Sequence, residues 1–391
     1  MIVSGNFSAI LESLPSFERA AEEIKEILLT NLIMIGEVAA QTFEEEERVR
    51  LVRNRFTECG LQNCSSDEKG NGLGILPGKA GEQYIVVVAH VDTVFGTEVD
   101  HTLDLRPDTV VGPGLGDNSL GVAVLATLPT LLDKLDIGLK SHLLLMAATR
   151  SLGRGDLEGL RFFLANNKLP ISAGVCLEGA RLGRLSHRSV GMIRGEVTCS
   201  VPEAYDWTQF GASSAILTLN RLISKIAEIP RPNRPRTSVV MGSIQGGSSF
   251  STMATNASLR FEVLSDSLEQ LNFVWAHVEN IVAEVSAETG EEIVLNVFAR
   301  RDPGEISFSH PLVTCTRSIH DALSIQSRID PSTSELSAFI DRDIPAITLG
   351  LAEAKRLNKI DEELAISSMF TGLAQLVGVL LSVDGGFCDE R

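Results

Sequence analysis

The sequence predicts an α/β protein that carries a second, ferredoxin-like domain inserted into the first. Two observations lead to this prediction. Continuous apolar runs at 84–89 and 143–148 are bounded by polar residues and separated by a helical pattern, which is typical of strands covered on both faces. From 195 to 300 the predicted elements follow the order strand, helix, strand, strand, helix, strand, which is the βαββαβ unit.

A complete unit in mid-chain indicates an insertion, because the chain afterwards returns to the pattern of the first domain. We therefore assign residues 1–193 and 305–391 to a discontinuous α/β domain and residues 194–304 to the inserted domain. Apolar residues three or four apart predict helices, and short apolar or alternating runs predict strands. In chain order these are helices at 16–40 and 45–59, strands at 70–76 and 84–89, a helix at 122–135, strands at 143–148 and 195–201, a helix at 213–228, strands at 238–244 and 257–264, a helix at 267–289, strands at 292–299 and 346–350, and a helix at 366–383. The acidic run 44–47 is expected to be a solvated helix start.

Composition excludes several classes of function. The chain has 391 residues, of which 44% are hydrophobic and 22% charged, and its formal net charge is −17. That acidity disfavours contact with a phosphate backbone, so no nucleic-acid partner is expected. The six cysteines form no C-x-x-C pair and indicate scattered reduced thiols. The N-terminus lacks the pattern of a signal peptide and no apolar run is long enough for a bilayer, so we expect a cytoplasmic protein without a membrane partner.

Two motifs carry the candidate chemistry. His90 and Asp92 follow the apolar strand at 84–89, at the carboxyl end where open α/β sheets bind ligands. A carboxylate beside an imidazole fixes its tautomer and raises its basicity, which suits a metal ligand. The glycine-rich segment 112–118 then presents Asp117 just before a predicted helix, where an aspartate could also serve only as an N-cap. Either motif alone could arise by chance, whereas the pairing of both is much less common.

Together these motifs resemble the M20 metallopeptidase family, which includes carboxypeptidases, aminoacylases and dipeptidases. The resemblance implies a zinc-peptidase-like catalytic domain, with a mixed sheet flanked by helices, and an inserted lid that mediates dimerisation. It further implies that His90 and Glu178 bind one zinc and that Asp117 bridges two zincs. Asp92 corresponds to the carboxylate that supports the histidine ligand. The segments 246–249 and 344–350 also resemble segments of the family.

The sequence departs from the family pattern at four positions. Ser151 and Leu152 stand where the family has two adjacent glutamates, so the general base is replaced by a serine and a ligand of the second zinc by a leucine. Asn358 stands in place of the last histidine ligand. Tyr205 replaces the lid histidine that stabilises the reacting oxyanion. These changes imply at most one intact zinc site per chain, or none.

Arg150 lies beside the lost glutamate pair. Its guanidinium could supply the positive charge of the missing second cation. The alternative is that Arg150 pairs with an ordinary surface carboxylate, and the sequence does not separate the two.

Three functions agree with this pattern. The first is a hydrolase that cleaves the amide bond of a peptide or an N-acyl amino acid with one metal and a substitute base such as Asp156 or Glu362. The second is a catalytically inactive pseudo-peptidase that acts as a ligand-binding or regulatory dimer. The third is a purely structural role through dimerisation of the lid. By resemblance, the partners expected are a small peptide or N-acyl amino acid in the interdomain cleft and a second copy of the chain, which gives a homodimer through the lid domain.

Overall fold

The computed structural model describes residues 6–79, 82–201, 214–250 and 252–389. The chain divides into two units, of which the first ends at Arg188 and resumes at Glu305, and the second is Ser189–Gly304. In chain order the helices are α1 (Phe7–Glu23), α2 (Lys25–Gly36), α3 (Glu46–Glu58), α4 (Leu120–Lys134), α5 (Glu158–Asn166), α6 (Ala215–Glu228), α7 (Leu268–Thr289), α8 (Pro311–Ala322), α9 (Leu336–Ile340) and α10 (Ile366–Asp384). The strands are β1 (Gln62–Ser66), β2 (Gly72–Leu76), β3 (Tyr84–His90), β4 (Asp104–Leu105), β5 (Thr109–Val111), β6 (His142–Ala148), β7 (Ile171–Ala180), β8 (Leu185–Ser186), β9 (Arg188–Ser189), β10 (Gly191–Ser200), β11 (Thr237–Gly246), β12 (Asn256–Ser265), β13 (Glu292–Arg301), β14 (Gly304–Glu305), β15 (Ala346–Ala352), β16 (Ala354–Lys355) and β17 (Glu363–Ala365).

The first unit is built on a mixed sheet with strand order β1-β2-β6-β3-β7-β15-β8. The four central strands β6, β3, β7 and β15 are parallel, whereas β1, β2 and β8 run antiparallel to their neighbours. Six of the seven residues of β3 and of β6 are buried, as their apolar runs predict. The predicted α/β domain with a mixed sheet flanked by helices is therefore confirmed.

Helices cover this sheet because each presents an apolar face to it. The helix α4 is buried along most of its length, and α10 packs against α1, α8 and β15. Two segments, Leu115–Lys134 and Ile366–Asp384, are long and apolar enough to cross a bilayer, but 89% of the apolar stretch of each is buried inside the protein. They are core helices of the unit by this measure.

The second unit has the order β10, α6, β11, β12, α7, β13, and its antiparallel sheet runs β11-β12-β10-β13. This is the predicted ferredoxin-like βαββαβ arrangement. In its core the rings of Phe261 and Trp275 stack with centroids 5.8 Å apart. A glycine at 195 allows this, because a Cβ there would lie 2.8 Å from the Trp275 ring. The strand β11 forms one edge of the sheet and exposes apolar side chains.

Two sequence predictions about the first unit are wrong. The helix expected at 16–40 is two helices, because the chain leaves helical geometry at Ile24 (φ −104°, ψ 19°), and the first helix begins at Phe7 after an Asn6 N-cap. The acidic run 44–47 is not uniformly solvated, since Glu45 is 4% exposed. Its Oε1 accepts a hydrogen bond of 2.8 Å from the backbone N–H of Arg150, a contact between distant segments that local sequence does not reveal.

Candidate metal centre

Two candidate ligands lie side by side at the carboxyl end of the central strands. His90 is the last residue of β3, and Glu178 lies near the end of the adjacent parallel strand β7. The register pairs Val88 with Cys176, so the two candidates, each two residues further along, come level with each other. They are 1% and 8% exposed. The sheet topology therefore brings together residues that are far apart in the sequence.

The third candidate, Asp117, lies in an irregular helical turn, Leu115–Ser119, that precedes α4. Asn118 fixes this turn against β7, because its Nδ2 donates to the Leu177 carbonyl and its Oδ1 accepts from the Gly179 N–H, both at 2.8 Å. The two contacts bracket Glu178. Asn118 is thus a positioning residue that sequence reasoning missed, although it directly follows the candidate ligand.

The three side chains converge on one point. One ligand atom each from His90, Asp117 and Glu178 lies within 4.8 Å of the others. The His90 Nε2 and Asp117 Oδ1 atoms are 2.9 Å apart. Glu178 Oε1 accepts a 2.8 Å hydrogen bond from the Ser334 hydroxyl and lies 3.7 Å from Arg184 Nη1. One imidazole and two carboxylates form a donor set that fits a single zinc ion with a further position open.

Asp92 supports the imidazole from behind. Its Oδ1 lies 3.5 Å from His90 Nδ1, and the same nitrogen lies 3.0 Å from the Asp92 carbonyl. Asp92 Oδ2 accepts hydrogen bonds from the Thr42 hydroxyl and from the N–H groups of Ser151 and Leu152, at 2.8 to 3.0 Å. This leaves Nε2 of His90 facing Asp117, which is the orientation a metal ligand needs.

The pKa values follow from burial and close charges. Burial lowers the pKa of His90, but hydrogen bonds to Asp117 and Asp92 and the charge of Glu335 outweigh it, so the pKa is raised well above 6.5. Burial raises the pKa of Asp117, but the hydrogen bond and charge of His90 bring it below its usual value. Burial raises the pKa of Glu178, and the charge of Arg184 only partly opposes this. A divalent cation would compete with the His90 proton for the same carboxylates.

Comparisons with known proteins also relate this chain to peptidases. Family models match two regions, namely peptidase family M28 over residues 71–149 and the M20 peptidase dimerisation domain over residues 208–290. A comparison with curated protein sequences finds no match.

Solved structures with the same fold cover nearly the whole chain. Aminopeptidase PepT from Bacillus cereus is 17% identical, with a TM-score of 0.71, over 92% of this chain and 98% of that one. Human carnosine dipeptidase 1 is 9% identical, with a TM-score of 0.78, over 95% and 99%. The YXEP protein of Bacillus subtilis, a dinuclear metal binding peptidase from the M20 family, is 13% identical, with a TM-score of 0.63, over 93% and 99%. The chain thus shares its fold with these metallopeptidase structures over nearly its whole length, and residues 208–290 match the M20 dimerisation domain.

The structure describes three of the four positions that depart from the M20 pattern. Ser151 is 3% exposed, and its hydroxyl has no hydrogen-bond partner within the described residues. Leu152 donates its backbone N–H to Asp92 Oδ2 at 2.8 Å. Asn358 is exposed and lies between β16 and β17 with φ 59°. Tyr205 lies outside the described residues. At none of the three described positions does a side chain offer a carboxylate or an imidazole for a second cation.

Arg150 makes contacts that account for its charge. Its Nη1 lies 3.0 Å from Glu158 Oε2, and its guanidinium lies 5.7 Å from the centroid of the Phe43 ring. Lys69 also pairs with Glu158. This geometry matches the alternative in which Arg150 pairs with a carboxylate on the surface, and substitution for the missing second cation stays a hypothesis.

Glu362 is a buried carboxylate beside the Asp117 turn. The residue is 0% exposed, and neither carboxylate oxygen accepts a well-formed hydrogen bond from the described chain. A Cβ at Gly116 would lie 2.5 Å from Glu362 Oε1, so the glycine makes room for this carboxylate. Burial raises the pKa of Glu362 to about 7, and the charge of Asp117 adds to the rise against the opposing N–H groups of Gly116 and Leu115. A carboxyl with this pKa is suited to acid–base work near neutrality.

Proposed function

We propose that this M20-like chain binds one divalent cation, zinc by its donor set, through His90, Asp117 and Glu178. The observation that carries the proposal is the convergence of their three ligand atoms within 4.8 Å. Asp92 Oδ1, which is buried and lies 3.5 Å from His90 Nδ1, adds a negative charge directly behind the imidazole. The cluster therefore has the charge and the donor types that such an ion needs.

The reaction that this site supports is slow hydrolysis of the amide bond of a small peptide or an N-acyl amino acid. Bound zinc would polarise an amide carbonyl and acidify water. Glu362 is the group we propose to accept the proton, because it lies beside the Asp117 turn and its pKa of about 7 favours reversible proton transfer at neutral pH. Asp92 holds the His90 ring in place during the reaction. We infer a cytoplasmic location from the six cysteines, which are all free thiols, as is typical of a reducing compartment.

A second candidate function is ligand binding without turnover. The specific observation that favours it is the Ser151–Leu152 pair, where a hydroxyl and an alkyl chain stand in place of two carboxylates. Loss of a general base alone removes a factor of roughly 10²–10⁴ in rate, so the same fold could persist as a binding protein. Both functions share the metal centre and differ only in the fate of the ligand.

Metal content is the first experiment. Wild-type protein purified without chelator should carry about one zinc per chain, and His90→Ala should carry none because one of its three ligands is lost. His277→Ala is the matched control, since His277 is a partly exposed histidine on α7 of the second unit. Zinc retained by His90→Ala, or absent from all three proteins, would contradict the metal centre.

Turnover is the second experiment and separates the two functions. Zinc-loaded protein is incubated with a panel of dipeptides and N-acetyl amino acids, and release of free amino groups is followed over hours. The hydrolase predicts slow release that falls at least tenfold in Glu362→Gln, because an amide accepts no proton at this pH. Binding of a panel member by calorimetry, with no release in the wild type, would favour the ligand-binding function.

We propose in addition that the chain forms a homodimer through its second unit, where the dimerisation-domain model matches. The strand β11 lies at an edge of that sheet, and its Val240, Met241 and Ile244 side chains are 43%, 37% and 59% exposed. An apolar edge strand of this kind can pair across a two-fold axis. Sedimentation of the wild type should give twice the mass of the chain, and Ile244→Lys should shift the protein towards the monomer.

A further inference from the structure

The metal centre has a buried cation behind it that belongs to none of the motifs described above. Arg48, on α3, is 1% exposed, which makes it the largest fully buried side chain in the described structure. Its Nε donates to the Val38 carbonyl at 2.8 Å, and its Nη2 donates to the same carbonyl and to that of Gly36. Its Nη1 donates to the Val91 carbonyl at 3.1 Å and to the Ser119 hydroxyl at 3.3 Å.

All these acceptors are neutral, which is unusual for a guanidinium removed from water. A buried charge is costly unless it is paired or fully hydrogen-bonded, and here no carboxylate in the described chain bonds to it directly. Burial lowers the pKa of Arg48 to about 10, with the charge of Asp92 opposing, so the side chain remains positively charged at neutral pH. Its several hydrogen bonds therefore offset the cost of burying the charge, and they join the chain segments that carry the acceptors.

Arg48 joins the two segments that carry the candidate ligands His90 and Asp117. Val91 lies between His90 and Asp92 at the end of β3, and Ser119 follows Asp117 by two residues at the start of α4. A single nitrogen, Nη1, contacts both segments. The planar guanidinium fork fixes the direction of each bond, which the single ammonium group of a lysine cannot do.

We propose that Arg48 is a positioning residue of the metal centre, which sets the separation of His90 and Asp117 by binding the Val91 carbonyl and the Ser119 hydroxyl with one guanidinium. The inference rests on the proposed metal-binding function, because it assigns a role in that same site. It differs from a purely structural role in one respect. A structural role predicts a loss of stability alone, whereas a positioning role predicts a change in metal affinity and coordination while the protein is still folded.

The test compares Arg48→Lys with Arg55→Lys. Arg55 lies on the same helix, and its Nε donates to Asn31 Oδ1 at 2.8 Å, away from the ligand segments. Zinc affinity is measured by competition with a chromophoric chelator, at a temperature where circular dichroism shows every variant folded. Arg48→Lys should weaken zinc binding by about 10- to 100-fold, as is typical when a residue that orients a ligand is lost, and Arg55→Lys should not. The absorption spectrum of the Co²⁺-loaded protein should change only in the Arg48 variant.

Ser119→Ala keeps the test decisive if Arg48→Lys does not fold. This variant removes one acceptor of Nη1 and leaves the guanidinium in place, so zinc affinity should fall by several-fold. Folded Arg48→Lys with wild-type zinc affinity and Co²⁺ spectrum would overturn the inference and leave the metal centre intact, as would wild-type zinc affinity in Ser119→Ala if Arg48→Lys is unfolded. A wild-type protein that binds no zinc would instead overturn the proposed function, and this inference with it.

Discussion

Gly116→Ala should disturb the metal centre without touching a ligand. A Cβ at this position would lie 2.5 Å from Glu362 Oε1 and 2.8 Å from the Cβ of Ala180, whereas ordinary contacts begin at 3.4 Å. The carboxylate can rotate, but Ala180 belongs to β7, so the turn that carries Asp117 must retreat by about 0.6 Å from the strand. Overpacking of this kind costs about 1–3 kcal/mol. If Asp117 moves with the turn, and the whole cost falls on metal binding, zinc affinity falls by about 5- to 150-fold.

The assay is zinc competition together with thermal denaturation of the metal-free protein. Gly242→Ala in β11 is the matched control, because a Cβ there meets its nearest neighbour at an ordinary 3.4 Å. The double variant Gly116→Ala with Ala180→Gly should recover part of the loss, since it removes the Cβ that the new methyl group would meet at 2.8 Å. Unchanged zinc affinity and unchanged stability in Gly116→Ala would refute the reasoning that the glycine is required by these two contacts.

Three further predictions follow from buried or charged groups. Burial lowers the pKa of His320 despite its hydrogen bond to Gln375, so the folded state holds its proton less tightly than the unfolded chain. Its contribution to stability is present above pH 6.5 and lost as the pH falls below it, and urea midpoints at pH 7.5 and 5.5 should differ more in the wild type than in His320→Asn. Phe339→Ala should lower the free energy of unfolding by about 3–5 kcal/mol, because the ring is 0% exposed, whereas Phe273→Ala, at a ring 41% exposed, should cost far less by the same denaturation assay. Arg150→Ala should leave elemental zinc content at one per chain, since the guanidinium is already paired, and a second zinc in the variant would favour its role as a cation substitute.

The three ligand candidates could be chosen from the sequence because the motifs that carry them together resemble those of the M20 family. His90 ends an apolar strand, Asp117 lies in a glycine-rich loop, and Glu178 ends another strand. Arg48 and Glu45 could not be chosen in this way. Both lie in a charged helical stretch that resembles a solvated surface, and their burial arises from segments at 36–38, 91 and 150 that meet them only in the folded chain.

The main elements of the fold were predictable for a similar reason. Continuous apolar runs at 84–89 and 143–148 already indicate strands covered on both faces, and α7 begins at a Ser267 N-cap and ends at Gly290 with φ 70°. The small sheet of β4, β5, β16 and β17 was not predicted, because strands of two or three residues are too short to show periodicity. Its strand β5 ends shortly before the turn that carries Asp117, and Glu362 directly precedes its strand β17. The Glu362 carbonyl accepts a hydrogen bond from the Gly112 N–H at 2.9 Å.

The apolar edge of β11 has a consequence for the tendency of the protein to aggregate. Among the described residues β11 pairs only with β12, and its outer edge beside Val240 and Ile244 is a template for any extended segment, including one from a partly unfolded chain. Pairing with a second copy would occupy that template with a registered strand. Substitutions that weaken pairing of β11 between two copies should therefore release monomer and raise turbidity on storage. The rate of aggregation then measures how much dimer has dissociated, even where no ligand or metal is added.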